Sequence, residues 1–121
     1  MSEARPRTPA QVSGGEAEND AARHLERHGL SILTRNYRTR LGEIDLVAME
    51  GEVLVFVEVR MRSSGRFGGA AESITSRKQA RIIAAAGHFL RRFRNPPGCR
   101  FDVVILQEGP PQWLKAAFEG R

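Results

Sequence analysis

A mixed β-sheet flanked by helices, in the α/β class, is what this 121-residue sequence predicts. Two stretches carry apolar residues at three- and four-residue spacing, the pattern of a helix with one buried face. Four shorter runs rich in Val, Ile, Leu and Phe are bounded by turn residues, the pattern of strands. Their order is helix, three strands, helix, strand, which gives a sheet with helices packed on it.

Met1 to Val12 has no periodicity and reads as a flexible tail, so residues 1–14 are expected to lie outside a single domain spanning 15–121. Ser13 and Glu16 have the spacing of a capping box. Ala17, Ala21, Ala22 and Leu25 then form a stripe that ends before Gly29, which predicts a helix over about residues 15 to 28. Glu18 falls on the edge of that buried face, where it also complements the positive end of the helix dipole. His24 and His28 have ligand-compatible spacing, but Glu does not directly follow the first His as the zinc-protease pattern needs, and both read as surface residues.

Leu30 to Arg38 predicts a strand, and Leu41-Gly42 turns the chain into a hairpin over Gly42 to Arg62. Its turn signal is Glu50-Gly51. A two-residue turn there sets Glu43 opposite Glu58, with Asp45 diagonal to it on the same face. The two-residue period of a strand puts Glu58, Arg60 and Arg62 on one face and Val57, Val59 and Met61 on the other. Like charges across a strand pair destabilise it, so three carboxylates gathered there require a compensating cation, either Arg60 or a bound divalent metal. The competing reading has a turn one residue longer, Glu43 in solvent, and Glu58 paired with Arg60 or Arg62 on an exposed sheet face, where such pairs contribute little.

After Arg62, the glycine-rich run from Ser63 to Ala70 reads as a loop without the spacing of a nucleotide-binding P-loop. Ile82, Ile83, Ala86, Phe89, Leu90 and Phe93 place the second helix over about Ser76 to Phe93, with Arg77, Lys78, Arg81, Arg91 and Arg92 on much of the remaining surface. Asn95-Pro96-Pro97-Gly98 ends it, and Arg100 to Leu106 predicts a mostly buried strand. Gln112 to Phe118 is too short to classify. Trp113 and Phe118 read as packing or interface residues rather than platforms for stacked bases.

Charge is segregated along the chain. Between Arg60 and Arg100, ten Arg or Lys stand against one acid, Glu72, a local balance of +9, whereas the rest carries nine basic and thirteen acidic residues. A basic face of this kind attracts a polyanion, or else is a solvated helix surface without a partner. The single cysteine, Cys99, excludes an internal disulfide and makes a thiolate zinc site improbable, which suits a reducing compartment. With no apolar run approaching ~18 residues and a polar start, neither a membrane span nor a secretory signal is expected, and the chain reads as cytoplasmic.

Taken together, GEIDL at 42–46, FVEVRMR at 56–62, FGGA at 67–70, Lys78 and RFDVV at 100–104 resemble the YraN-like bacterial family, with the match running from about Gly15 to Phe118. That family is similar to the restriction-endonuclease-like nucleases and archaeal Holliday junction resolvases, whose pattern is an Asp on one strand and Glu-x-Lys on the next. The resemblance implies a restriction-endonuclease-like fold. Asp45 takes the Asp position, Glu58 the Glu and Arg60 the Lys, while Glu18 matches an acid on the first helix that resolvases also use. Asp45, Glu58 and Glu18 would then hold Mg²⁺ or Mn²⁺, for which carboxylate oxygens are suited donors. DNA is the implied partner, and a homodimer the assembly that the resolvase likeness allows. Arg60 departs from the pattern, because a guanidinium stays protonated and serves only to stabilise charge or anchor phosphate.

The expected function is nucleic-acid binding through Arg62, Arg66, Arg77, Lys78 and Arg81, with metal-dependent DNA cleavage, at branched structures among others, by Asp45, Glu58, Arg60 and Glu18. The alternatives are a binding module of the same fold with weak or no catalysis, and a protein-interaction factor whose basic face meets an acidic partner.

Overall fold

The computed structural model describes residues 15–62 and 74–120. The tail, Ser13 of the capping box, the glycine-rich loop with FGGA, and Arg66 lie outside the described residues. Helix α1 spans Ala17–Arg27, strands β1 to β3 span Ser31–Arg38, Glu43–Glu50 and Val53–Met61, helix α2 spans Ser76–Leu90, and β4 and β5 span Cys99–Leu106 and Gln112–Phe118. The expected order is present with one strand added at its end. Gln112–Phe118 is β5, irregular in its pairing with β4 and with Ala116 at positive φ, which obscures the two-residue alternation in the sequence.

The five strands lie in the order β1-β2-β3-β4-β5. Only β3 and β4 are parallel, and α2 connects them; the other neighbours are antiparallel. β3 is therefore interior, and its alternation serves two cores. Val55 and Val57 pack with Leu46, Ala48 and Val104 against Ala21, Ala22 and Leu25 of α1. Leu54 and Phe56 pack with Val47 and Phe101 against Ile82, Ala86 and Phe89 of α2. Each fully buried side chain of this size contributes about 1.5–3 kcal/mol over its exposed state.

α2 crosses the sheet rather than following one strand. Ile74, just ahead of it, packs with Val103 and Ile105 of β4. Lys78 reaches Glu58 of β3. A Cβ on Gly42, at the start of β2, would lie 2.1 Å from the Arg81 carbonyl oxygen. His88 and Phe89 meet Tyr37 of β1. Only glycine permits the contact at position 42.

The β2–β3 hairpin corrects the expected register. Glu50 pairs with Val53, so the loop is Gly51-Glu52 rather than Glu50-Gly51. Gly51 has φ +60°, which a two-residue loop requires at its first position. The pairing thus moves by two residues, which preserves the faces. Leu46 pairs with Val57, and continuing that step brings Asp45, not Glu43, to Glu58. Two smaller differences concern helix ends. Glu16 occupies the N-cap of α1 without a side-chain cap hydrogen bond. α2 stops at Leu90, and Phe93 closes a turn by donating its N–H to the Leu90 carbonyl.

Asp102 on β4, fully buried, ties β5 to the sheet. It accepts two hydrogen bonds of 2.9 Å from Arg100, one of 3.0 Å from Trp113 Nε1 and one of 2.9 Å from the Ala116 amide. Arg100 and Lys115 also hold Glu50 at the hairpin, at 2.8 and 3.1 Å. Removing one partner of a buried ion pair costs about 3–5 kcal/mol, because the remaining polar groups lose their compensation. We predict a loss of that size for Asp102→Ala in urea denaturation; a loss below about 1 kcal/mol would show that β5 is held by packing alone.

Candidate active site

The acid pair forms where β2 and β3 part. Beyond Leu46 and Val57 the ladder is interrupted, and Asp45 Oδ2 accepts the Val59 N–H at 2.8 Å in place of a backbone carbonyl. Glu58 lies on the α2 side of β3, two positions beyond Phe56. It is 5% exposed, which removes the reading of an exposed sheet face. Its Oε2 lies 3.5 Å from Arg60 Nη1 and 3.5 Å from Lys78 Nζ. Thr75 caps α2 by accepting the Lys78 N–H at 3.1 Å, which fixes the first helical turn and with it the lysine.

The remaining predicted residues are distributed around this pair. Glu18 approaches from α1, close enough to Asp45 for their charges to repel, and Asn36 holds it with a 2.8 Å hydrogen bond. Asn36 has φ +52°, a conformation Asn tolerates better than most residues. Glu43 stands apart from Glu58 and pairs with Arg38 at 3.4 Å on the surface. Arg62 follows β3 and reaches Gln112 at 3.5 Å. Arg77 and Arg81 are exposed on α2. Arg92 is occupied in packing: its guanidinium lies 3.9 Å from the Phe89 ring centroid, and its Nε donates to the Phe89 carbonyl. His24 and His28 pack around Trp113 rather than facing the acids. Lys78, expected from the sequence as a nucleic-acid contact, and Asn36, which the sequence did not single out, stand beside the acids in positions the sequence did not disclose. Lys78 is twenty positions beyond Glu58, and nothing local to Asn36 links it to Glu18.

Burial and the neighbouring Asp45 push Glu58 up to about 7, against the opposing pull of Lys78 and Arg60. Asp45 is also raised, chiefly by burial, although the Val59 amide and the hydrogen bond to Glu58 favour its charged form. Burial and Asp45 raise Glu18 as well. The pair therefore behaves as two carboxyls sharing a proton, held mainly by Glu58. Two hard oxygen donors that cannot comfortably ionise together fit a divalent cation of the Mg²⁺ class, which takes one or two carboxylates and leaves its other positions to water and phosphate. Among the described residues no three of His, Cys, Asp and Glu converge as one set, so Glu18 stands beside the pair rather than within it.

The fold is a nuclease-like one. It is shared with Archaeoglobus fulgidus Hjc, a Holliday junction resolvase, at a TM-score of 0.55 and 17% identity, over 85% of this chain and 77% of that one. The chain belongs to the family described as Uncharacterised protein family UPF0102, which matches residues 17–106. A UPF0102 protein of Herminiimonas arsenicoxydans is 50% identical over 115 residues, covering 95% of this chain and 93% of the relative. One of Verminephrobacter eiseniae is 56% identical over 117 residues, covering 93% and 81%. No helix among the described residues is long and apolar enough to cross a membrane.

The raised Glu58 has a signed consequence for stability. Between its ordinary value of 4.5 and about 7, the folded chain keeps a proton that the unfolded chain has released. The associated stability is complete below the lower value and is lost as pH rises through the upper one. Urea midpoints across this interval should fall for the wild type and fall less for Glu58→Gln, which is neutral throughout. Parallel declines would mean that the pH dependence originates elsewhere.

Proposed function

We propose that the protein is a divalent-metal-dependent endonuclease that hydrolyses DNA phosphodiesters. The observation that carries this reading is the contact between Asp45 and Glu58 at the parting of β2 and β3, with Lys78 and Arg60 beside Glu58. Asp45 and Glu58 would hold Mg²⁺ or Mn²⁺, and Glu18 would orient a water next to them. The metal, when bound, supplies charge neutralisation at the phosphate and acidifies a bound water. Arg60 stays protonated and stabilises charge that develops on the phosphate oxygens. Lys78 provides the amine that the Glu-x-Lys pattern has at the position of Arg60, from α2 instead of β3. Arg62, Arg77 and Arg81 contact flanking phosphates, as does Arg66, which lies outside the described residues. Because a structural neighbour, Archaeoglobus fulgidus Hjc, is a Holliday junction resolvase, four-way junctions belong among the substrates to test. A dimer is the assembly to look for on them. A cytoplasmic setting, where DNA and Mg²⁺ are both present, suits this activity.

The second reading is a binding module that does not cut. It is favoured by Lys78 and Arg60 themselves, which offset the Glu58 charge without any metal.

Thermal melting with millimolar Mn²⁺ separates the two. A site filled to 100 times its Kd stabilises the native state by about 2.7 kcal/mol, so the wild type should melt higher with metal. The Asp45→Asn, Glu58→Gln double variant should not, and equal shifts in both proteins would end the metal assignment. Cleavage of duplex, single-stranded and four-way-junction DNA with Mg²⁺ or Mn²⁺ is the direct assay. There Arg60→Lys should stay within a small factor of wild type, and Arg60→Ala should lose about 10²-fold or more, the scale of one preorganised stabilising group. DNA binding without cleavage in both the wild type and Arg60→Lys would leave the binding module.

A further inference from the structure

A second cationic site lies away from the acid pair. The turn between β1 and β2 and the last part of α2 enclose a pocket of about 670 Å³ lined by Arg38, Thr39, Arg40, Leu41, His88 and Arg91. Its lining holds three guanidiniums and an imidazole, and no carboxylate. Arg38 alone has an acid partner, Glu43, in a solvent-exposed pair that leaves it largely available. Among the described residues Arg40 and Arg91 have none.

The walls are held in place before any ligand arrives. Thr39 Oγ1 accepts the amides of Leu41 and Gly42 at 3.0 and 3.1 Å, and the Thr39 N–H donates to the Gly42 carbonyl at 2.8 Å. Gly42 seats this turn directly on the backbone of Arg81. On the opposite wall, His88 Nδ1 is engaged by the Tyr37 hydroxyl, which leaves Nε2 as the nitrogen available to a ligand.

The pocket also continues a line of charge. At 100° per residue, Arg77, Arg81 and His88 of α2 and Arg91 at its C-cap, which keeps helical backbone angles, fall within about 80° of one another, and from the first to the last the axis rises about 21 Å. That length matches the rise of about six nucleotides in one strand at 3.4 Å each. The line begins beside Lys78 and the acid pair and ends in the pocket.

We propose that this pocket grips a backbone phosphate of the bound nucleic acid about six nucleotides from the acid pair. The site takes a phosphodiester rather than a base, because three guanidiniums and the His88 imidazole outnumber its one hydroxyl, Thr39, and one leucine, and no Phe, Tyr or Trp ring lines it as a stacking platform. It fits a polyanion rather than a lone phosphate, because the cations extend beyond the pocket along α2. The inference rests on the nucleic-acid reading above but not on cleavage.

The test is the salt dependence of DNA binding, followed by fluorescence anisotropy on a duplex of about 20 base pairs. Each lost phosphate contact lowers the slope of log K against log salt by about 0.9, so Arg40→Gln with Arg91→Gln should lower it by about 1.8. Both side chains are exposed, and unchanged melting would verify folding. Arg40→Lys with Arg91→Lys should retain the slope. On duplexes shorter than about six base pairs, the Gln variant should bind as the wild type does, since such duplexes cannot reach from the acids to the pocket.

Arg23→Gln with Arg27→Gln removes two charges from α1 on the other side of the sheet and should change the slope less. If it changes the slope equally, the effect is net charge and the proposal fails. It also fails if the Arg40, Arg91 variant keeps the wild-type slope, or if the wild type shows no salt-dependent DNA binding. A variant that loses only a melting shift caused by inorganic phosphate, at constant ionic strength, would show a free-anion site instead. A wild type that binds DNA without cutting it, while the variant loses slope, ends the nuclease reading and leaves the pocket assigned.

Discussion

Glu58 is a carboxylate on the interior strand of the sheet, and the design of the site follows from keeping it there. Taking an ionised carboxylate out of water is costly unless the charge is paired or the proton is retained. Both remedies are in use. Arg60 and Lys78 approach one oxygen, while Asp45 raises the affinity of Glu58 for a proton. Surface carboxylates need no such support, so the arrangement marks Glu58 as a group held under electrostatic tension. That tension is what a cation would relieve.

A single helix both covers one face of the sheet and brings Lys78 to Glu58. The parallel pairing of β3 with β4 requires a crossover, which α2 provides. Its apolar side, through Ile82, Ala86 and Phe89, covers Phe56 and Phe101. Because it runs across the strands, its first turn stands over the acid pair and its last over the end of β1. The Thr75 cap sets the position of Lys78, and the Gly42 contact sets the spacing between α2 and the β1–β2 turn. Small rotations of this helix would therefore move the lysine and the distant pocket together.

The Asp102 network shows how a buried charge is accommodated when its role is structural. All of its bonds are directed to Arg100, Trp113 and the Ala116 amide, and it closes the last strand onto the sheet. Glu58 sits one strand away with a different environment: its cationic neighbours are at 3.5 Å, and its nearest carboxylate is a competitor for protons. Two buried carboxylates in one sheet thus differ in what surrounds them: Asp102 is saturated with hydrogen-bond donors, whereas Glu58 retains a proton beside a second carboxyl.

The sequence by itself determined the elements and the alternation. Apolar periodicity located α1 and α2, β-branched runs located four strands, and the two-residue period set Glu58 and Arg60 on a common face. Those are local properties of the backbone, carried by nearest neighbours along the chain. The hairpin register was legible only to within two residues, because Glu50-Gly51 and Gly51-Glu52 both suit a two-residue loop, and only the pairing of Glu50 with Val53 decides between them. A shift of two preserves faces, so two of the three expected acids meet, with Asp45 in the place foreseen for Glu43 and Glu43 left on the surface with Arg38. What only the tertiary structure decided was the burial of Glu58, the arrival of Lys78 at its side, the hold of Asn36 on Glu18, and the joining of Arg38 and Arg40 to His88 and Arg91. Each depends on the angle at which a helix crosses the sheet, and that angle is set by the summed packing of side chains from elements far apart in sequence.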